Sequence, residues 1–207
     1  LYQDGRVAFV HAAGLDTSSR SHFDNQAQIE LGTPGDGGTT DGWLTRHFLT
    51  SPGMPLNTPM VQRIAVSSTI QSAWLSDTSV VAFANRDDFL FNTGPSAWRD
   101  AQKTSLRNIL DLHAGVDPRY AQGLVSLDAS GFIEQNIPTL SSYVPANGAV
   151  YPSGSCGDSL KLTAQLIKLN MGLRAATLDL GGWDTHNGQG TPADGQFFWE
   201  KIQELSQ

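Results

Sequence analysis

Arg174-Ala175-Ala176-Thr177-Leu178-Asp179-Leu180-Gly181-Gly182-Trp183-Asp184-Thr185-His186 is the stretch that decides the fold. Arg174–Leu180 reads as a short strand, and two glycines at once release the chain into a polar loop. Before it, Leu162, Leu166, Leu169 and Leu173 fall on one face of a helix that starts at Asp158 or Ser159, with Gly172 near its end. After it, Phe197, Phe198, Trp199, Ile202 and Leu205 recur at helical spacing. The order helix, strand, loop, helix belongs to layered α/β architectures.

Working outward, Arg6–Ala12 is apolar without alternation and predicts a strand buried on both faces of a parallel sheet, with His11 a core residue. A polar loop follows, and Ser21 caps a predicted helix over 22–31. Asp41 reads as the cap of a helix through Trp43, Leu44, Phe48 and Leu49, broken by the prolines of 51–59. Residues 64–70 and 80–84 read as strands, and 98–113 as a helix ended by Gly115 and Pro118. Between 33 and 157 the pattern is irregular, so the expectation is one domain over 1–207. Its frame is a mainly parallel sheet with helices on both faces, carrying 33–157 as an insertion or cap.

Composition narrows the function classes. The 207 residues carry 13 Lys+Arg against 20 Asp+Glu, a net charge of -7, which argues against a nucleic-acid partner that needs a basic face. A single cysteine cannot close an internal disulfide. No apolar run approaches the ~20 residues that cross a bilayer, so no transmembrane segment is expected.

In open α/β sheets, sites gather where strands end. Two loops hold that position in the predicted order. The loop after 174–180 carries Asp184 and His186, two apart and therefore on one side of an extended chain. A carboxylate beside an imidazole suits a zinc-like or manganese-like cation, an Asp-oriented general base, or only a turn cap with a solvated histidine. The loop after 6–12 carries Arg20, Ser21 and His22. A hydroxyl at a helix N-terminus can attack a bound phosphate or sulfate, or can simply cap. Thr17 and Ser19 are alternative hydroxyls there. Gly157-Asp158-Ser159-Leu160 spells a serine-esterase string, but no strand precedes it, and Asp158 and Ser159 read as a helix cap.

Three segments in order resemble one family: Val7–Ala12 leading to Ser19-Arg20-Ser21-His22-Phe23-Asp24, then Asp41-Gly42-Trp43-Leu44, then Leu180-Gly181-Gly182-Trp183-Asp184-Thr185-His186 with Gln189. Together they resemble the DUF1501 proteins, a bacterial family of unassigned function in the alkaline phosphatase/sulfatase-like superfamily. The resemblance implies a doubly wound α/β sandwich, read here as a partial alkaline phosphatase-like fold, with a two-metal site at the strand ends. It implies Ser21 as nucleophile on a small anionic ester and Arg20 as the group that holds the anion. It further implies His22 and Asn187 at the substrate, and Asp184 and His186 as ligands of a divalent metal, Zn or Mn. It also implies export from the cytoplasm. The family's early Gly-Gly-x-Asp-Gly segment and its later E-F-G-R and D-H-G segments do not occur in this sequence. The expectation is therefore a portion of a longer protein, with an incomplete metal site, weak metal binding and no activity by itself. Two other readings stand beside it: a non-catalytic binding or surface-assembly protein that keeps the fold, and an esterase using Ser159.

Overall fold

The computed structural model describes residues 3–8, 10, 13–16, 18–33, 39–51, 61–91, 94–137, 142–193 and 195–206. The chain divides into two compact units, Leu1–Pro52 with Gln71–Asp77, and Gly53–Ile70 with Thr78–Gln207.

In the first unit, α1 (His22–Leu31) starts at Ser21, whose hydroxyl accepts the Asp24 N–H at 3.2 Å, and ends at Gly32 in the left-handed region. α2 (Trp43–Thr50) packs with a short 3-10 turn, Ser72–Trp74. Trp74 is buried, and its ring lies 5.9 Å from that of Phe48. The Arg46 guanidinium ties the unit together by donating to the carbonyls of Asp41 at 2.6 Å and Leu31 at 2.7 Å. The Glu30 carboxylate accepts the Ser72 N–H at 2.6 Å. The residue at the α2 N-cap is Gly42, not Asp41, and no side chain caps this helix. Sterics explain why: a Cβ at Gly42 would stand 2.0 Å from the Ala73 carbonyl oxygen, so only glycine allows the close approach in which the Gly42 N–H reaches the Leu75 carbonyl at 3.1 Å.

The second unit holds an open parallel sheet of three strands, ordered β2-β1-β3, with β1 (Arg63–Val66) between β2 (Val81–Ala82) and β3 (Ala175–Leu178). Ile64 lies opposite Val81 on one side and Ala176 on the other. Ile64, Ala65 and Val66 are all buried, as expected of a central parallel strand. α4 (Pro118–Asn136) brings Ala129 and Ile133 to the core, and Ile137 follows them. α5 (Ser155–Lys168) adds Leu162 and Leu166, both pairs at the i, i+4 spacing of one helix face. Ile64, Phe83, Ile133 and Leu166 line one small gap, so α4 and α5 both meet the sheet face that carries Ile64.

α3 (Arg99–His113) and α4 form a helical hairpin. Arg99, Lys103 and Arg107, one turn apart, face Glu134 and Asp128: Lys103 Nζ lies 2.5 Å and Arg99 3.8 Å from the Glu134 carboxylate, and Arg107 pairs with Asp128. Asp117 caps α4, accepting the Arg119 N–H at 2.9 Å, with Pro118 at the first helical position, where its missing N–H costs nothing. α6 (Phe197–Ser206) is the last helix.

Several expectations change. Arg6, Val7, Ala8 and Val10 lie in no strand and are exposed, Val10 at 79%. An apolar run becomes a strand only with a partner for its ladder, and the three strands described here come from elsewhere in the chain. Phe9, His11, Ala12 and Thr17 lie outside the described residues, as do 34–38, 52–60 and 138–141. Residues 33–157 supply β1 and β2, two of the three described strands, in addition to α2, α3 and α4. α5 begins at Ser155, so Asp158 and Ser159 sit inside it and do not cap it; the N-cap is Gly154.

Two outcomes follow. Ile133→Ala removes a fully buried side chain and is expected to lower unfolding stability by about 2–5 kcal/mol, read by urea denaturation. The Arg119 side chain and backbone N–H hold the Asp117 carboxyl at about 2, against an ordinary 3.8. A depressed carboxyl contributes stability that is complete above its unfolded value and is lost as pH falls through about 2. A proton titration of Asp117 followed by NMR should show its midpoint near 2 and a rise part of the way toward the ordinary 3.8 in Arg119→Gln, which removes the guanidinium and keeps the backbone N–H.

Candidate metal-binding loop

The loop that leaves the carboxyl end of β3 is shaped by a few local constraints. Gly182 adopts φ 87, a conformation costly for any side chain, and lets the chain turn directly after the strand. A Cβ there would also meet Lys201 Cε at 3.0 Å, because α6 runs close behind the loop. Trp183 folds back and its indole N–H donates to the Leu180 carbonyl at 2.8 Å. Its ring meets Phe198 of α6 edge-on, 6.4 Å between centroids. The Phe198 N–H donates to the Gln189 carbonyl at 3.1 Å, which fastens the far end of the loop to the start of α6.

Within that frame Thr185–Gly188 is a tight turn, closed by the Gly188 N–H on the Thr185 carbonyl at 2.7 Å. His186 occupies the second position of the turn at φ 48, where histidine is one of the residues found more often than most. The turn carries the imidazole back onto the residue two before it: His186 Nε2 lies 3.0 Å from Asp184 Oδ2. Both side chains are exposed, His186 at 76% and Asp184 at 47%. Asn187 follows in the same turn and is exposed.

The donor set fits one divalent cation. Two ligands on a shared ion with bonds of about 2.0–2.2 Å stand roughly 2.8–3.6 Å apart, and the Asp184–His186 separation of 3.0 Å falls in that range. A carboxylate oxygen with an imidazole nitrogen is a set that zinc and manganese accept. Two ligands make a partial site. A hydrogen bond also explains the same distance, with the imidazole N–H donating to the carboxylate.

The other group of predicted residues lies in the first unit. Ser21 is the α1 N-cap, so its hydroxyl oxygen already accepts one helix N–H, and the Ser19 hydroxyl accepts the Ser21 N–H at 3.1 Å. Arg20 and His22 flank it and are exposed. α1 has ten residues, so its N-terminal amides and dipole favour an anion near Ser21. Ser159 lies one turn inside α5, its carbonyl accepting the Thr163 hydroxyl at 2.8 Å. Residues 142–154, which lead into that helix, form no strand, so Ser159 does not follow a buried strand as the serine of that esterase string does.

Sequence reading missed the support that α6 gives the loop. The apolar spacing of 197–205 marks the helix, but nothing in it marks Phe198 as the partner of Trp183 or Lys201 as the neighbour of Gly182.

Comparison with models of protein families, with curated proteins and with solved structures finds no match for the chain.

In an NMR titration with Zn²⁺, the His186 ring resonances and the amides of 181–190 are expected to shift in fast exchange, the mark of weak binding. Asp184→Asn should remove the response. An unchanged response in that variant would place the zinc elsewhere.

Proposed function

We propose that this chain is part of a metal-dependent hydrolase of phosphate or sulfate esters, of the alkaline phosphatase-like kind that its sequence resembles. The observation that carries the reading is the Asp184–His186 pair, 3.0 Å apart on the loop after the carboxyl end of β3. A cation bound there supplies Lewis acidity toward an ester oxygen. The remaining work falls to the chain's own groups. Ser21 is the nucleophile: its oxygen forms the new bond to phosphorus or sulfur as the bond to the leaving oxygen breaks. The α1 amides and Arg20 hold the non-bridging oxygens, where negative charge is concentrated. His22 and Asn187 contact the substrate.

The ligand count sets the activity of this chain alone. A centre of the proposed kind takes more ligands than Asp184 and His186 provide, and the resemblance places the others in segments outside this sequence. We therefore expect no turnover from residues 1–207 alone. The parent is expected to act outside the cytoplasm, again on the resemblance.

A second reading has its own support. The Ser21 oxygen is engaged as a helix cap, which suits a binding or surface-assembly protein that keeps the fold without the chemistry. Hydrolysis of aryl phosphates and sulfates by a longer chain containing this sequence separates the two. The enzyme reading expects turnover that Ser21→Ala lowers by about 10³-fold or more, while Ser159→Ala leaves it unchanged. An inactive longer chain with metal supplied supports the binding reading. Loss of activity in Ser159→Ala instead supports the esterase.

A further inference from the structure

A second chemical cluster lies in the second unit, in elements that the proposed hydrolase does not use. Lys168 ends α5, which leads through 169–174 into the amino end of β3, whereas Asp184 and His186 follow the carboxyl end. The Lys168 ammonium donates to the Tyr143 hydroxyl oxygen at 2.6 Å. Tyr151 approaches from the same segment, its ring 6.4 Å from that of Tyr143. Tyr143 Oη thus receives a charged donor, with a second phenol ring close by. Tyr143 is half-buried and Lys168 exposed, so reagents reach the pair from solvent.

A charged donor on a phenol oxygen changes what that oxygen does. It stabilises the phenolate, because a hydrogen bond offered to the charged form favours it and a cation within contact distance favours it further. The Lys168 hydrogen bond, aided by the lysine's charge and opposed by burial, brings the Tyr143 phenol below its ordinary range. Tyr151 moves the other way, first through burial and then through the neighbouring Tyr143 phenol. Lys168 and Tyr151 are the titratable groups that face Tyr143, the first from α5 and the second from its own segment.

We propose that Tyr143 is a nucleophilic tyrosine, an acceptor for acyl groups from activated acyl donors, with Lys168 and Tyr151 as the groups that ready it. In the reaction the Tyr143 oxygen attacks the acyl carbon, the new O–C bond forms, and the bond from that carbon to the leaving group breaks. The leaving group departs with the electron pair and takes up the phenol's proton. Neither Lys168 nor Tyr151 is consumed. Lys168 and Tyr151 are positioning residues: they act through the Tyr143 oxygen.

N-acetylimidazole tests this, since its imidazole leaves when a phenolate is acetylated. The chain has four tyrosines, Tyr2, Tyr120, Tyr143 and Tyr151, which serve as mutual controls. Acetylation followed by peptide mass spectrometry across a pH series is expected to mark Tyr143 several-fold faster than Tyr120, with its pH midpoint lower. Lys168→Met should slow Tyr143 to the rate of Tyr120 and raise its midpoint, and Tyr151→Phe should have a smaller effect in the same direction. Far-UV circular dichroism checks that the variants stay folded. Equal rates at Tyr143 and Tyr120, an unaltered Tyr143 rate in Lys168→Met, or acetylation of Lys168 in place of Tyr143 would each overturn the proposal.

Discussion

The second unit depends on β1, in which Ile64, Ala65 and Val66 are buried. All four residues, Arg63–Val66, pair with β3 on one edge, and Ile64 and Ala65 pair with β2 on the other. The middle of a strand held between two others has no solvent-facing side to spend on polar residues, which is why it reads Ile64-Ala65-Val66 without alternation. Everything that places the candidate site follows from it. β3 is fixed by its register against β1, Arg63 to Ala175 and Val66 to Leu178, so the point at which β3 ends is fixed too. Gly182 then turns the chain, and Trp183 and Phe198 hold the turn against α6.

What the sequence makes legible is local. Ser21 as the α1 cap, the extent of α1, the end of α3 at His113 and the β3 strand all come from neighbours within a few residues, and the structure has each of them. The D-x-H spacing likewise brings two side chains together through a single tight turn. What it hides is long-range. Arg6–Ala12 has the composition of a buried strand, but pairing is decided by a distant partner, and Val10 stands exposed. α4 is hidden because Gly123 and Gly131 interrupt it and because its apolar residues answer to several neighbours at once. Gly42 displaces Asp41 as the α2 cap for a reason no local pattern carries, the carbonyl of Ala73 31 residues along the chain.

The candidate chemistry divides the same way. Asp184 and His186 stand out as letters in a loop, whereas Tyr143 and Lys168 are 25 residues apart and share no motif. One pair is found by reading and the other only by folding. Both rest on the same elementary fact, that an oxygen's chemistry is set by the donors and charges within about 3 Å of it.

The hairpin of α3 and α4 carries a consequence for how the chain finds its register. Arg99, Lys103 and Arg107 repeat the same charge once per turn, so sliding one helix past the other by a turn would bring a different cation to Glu134 and Asp128 with little loss. Ion pairs of this kind attract without discriminating between neighbouring alignments. Discrimination comes from shape: Gly123 of α4 leaves room for Leu110 of α3, and a Cβ there would stand 2.8 Å from the leucine's methyl. The hairpin is drawn together by a charge pattern that tolerates slippage and is indexed by a single notch.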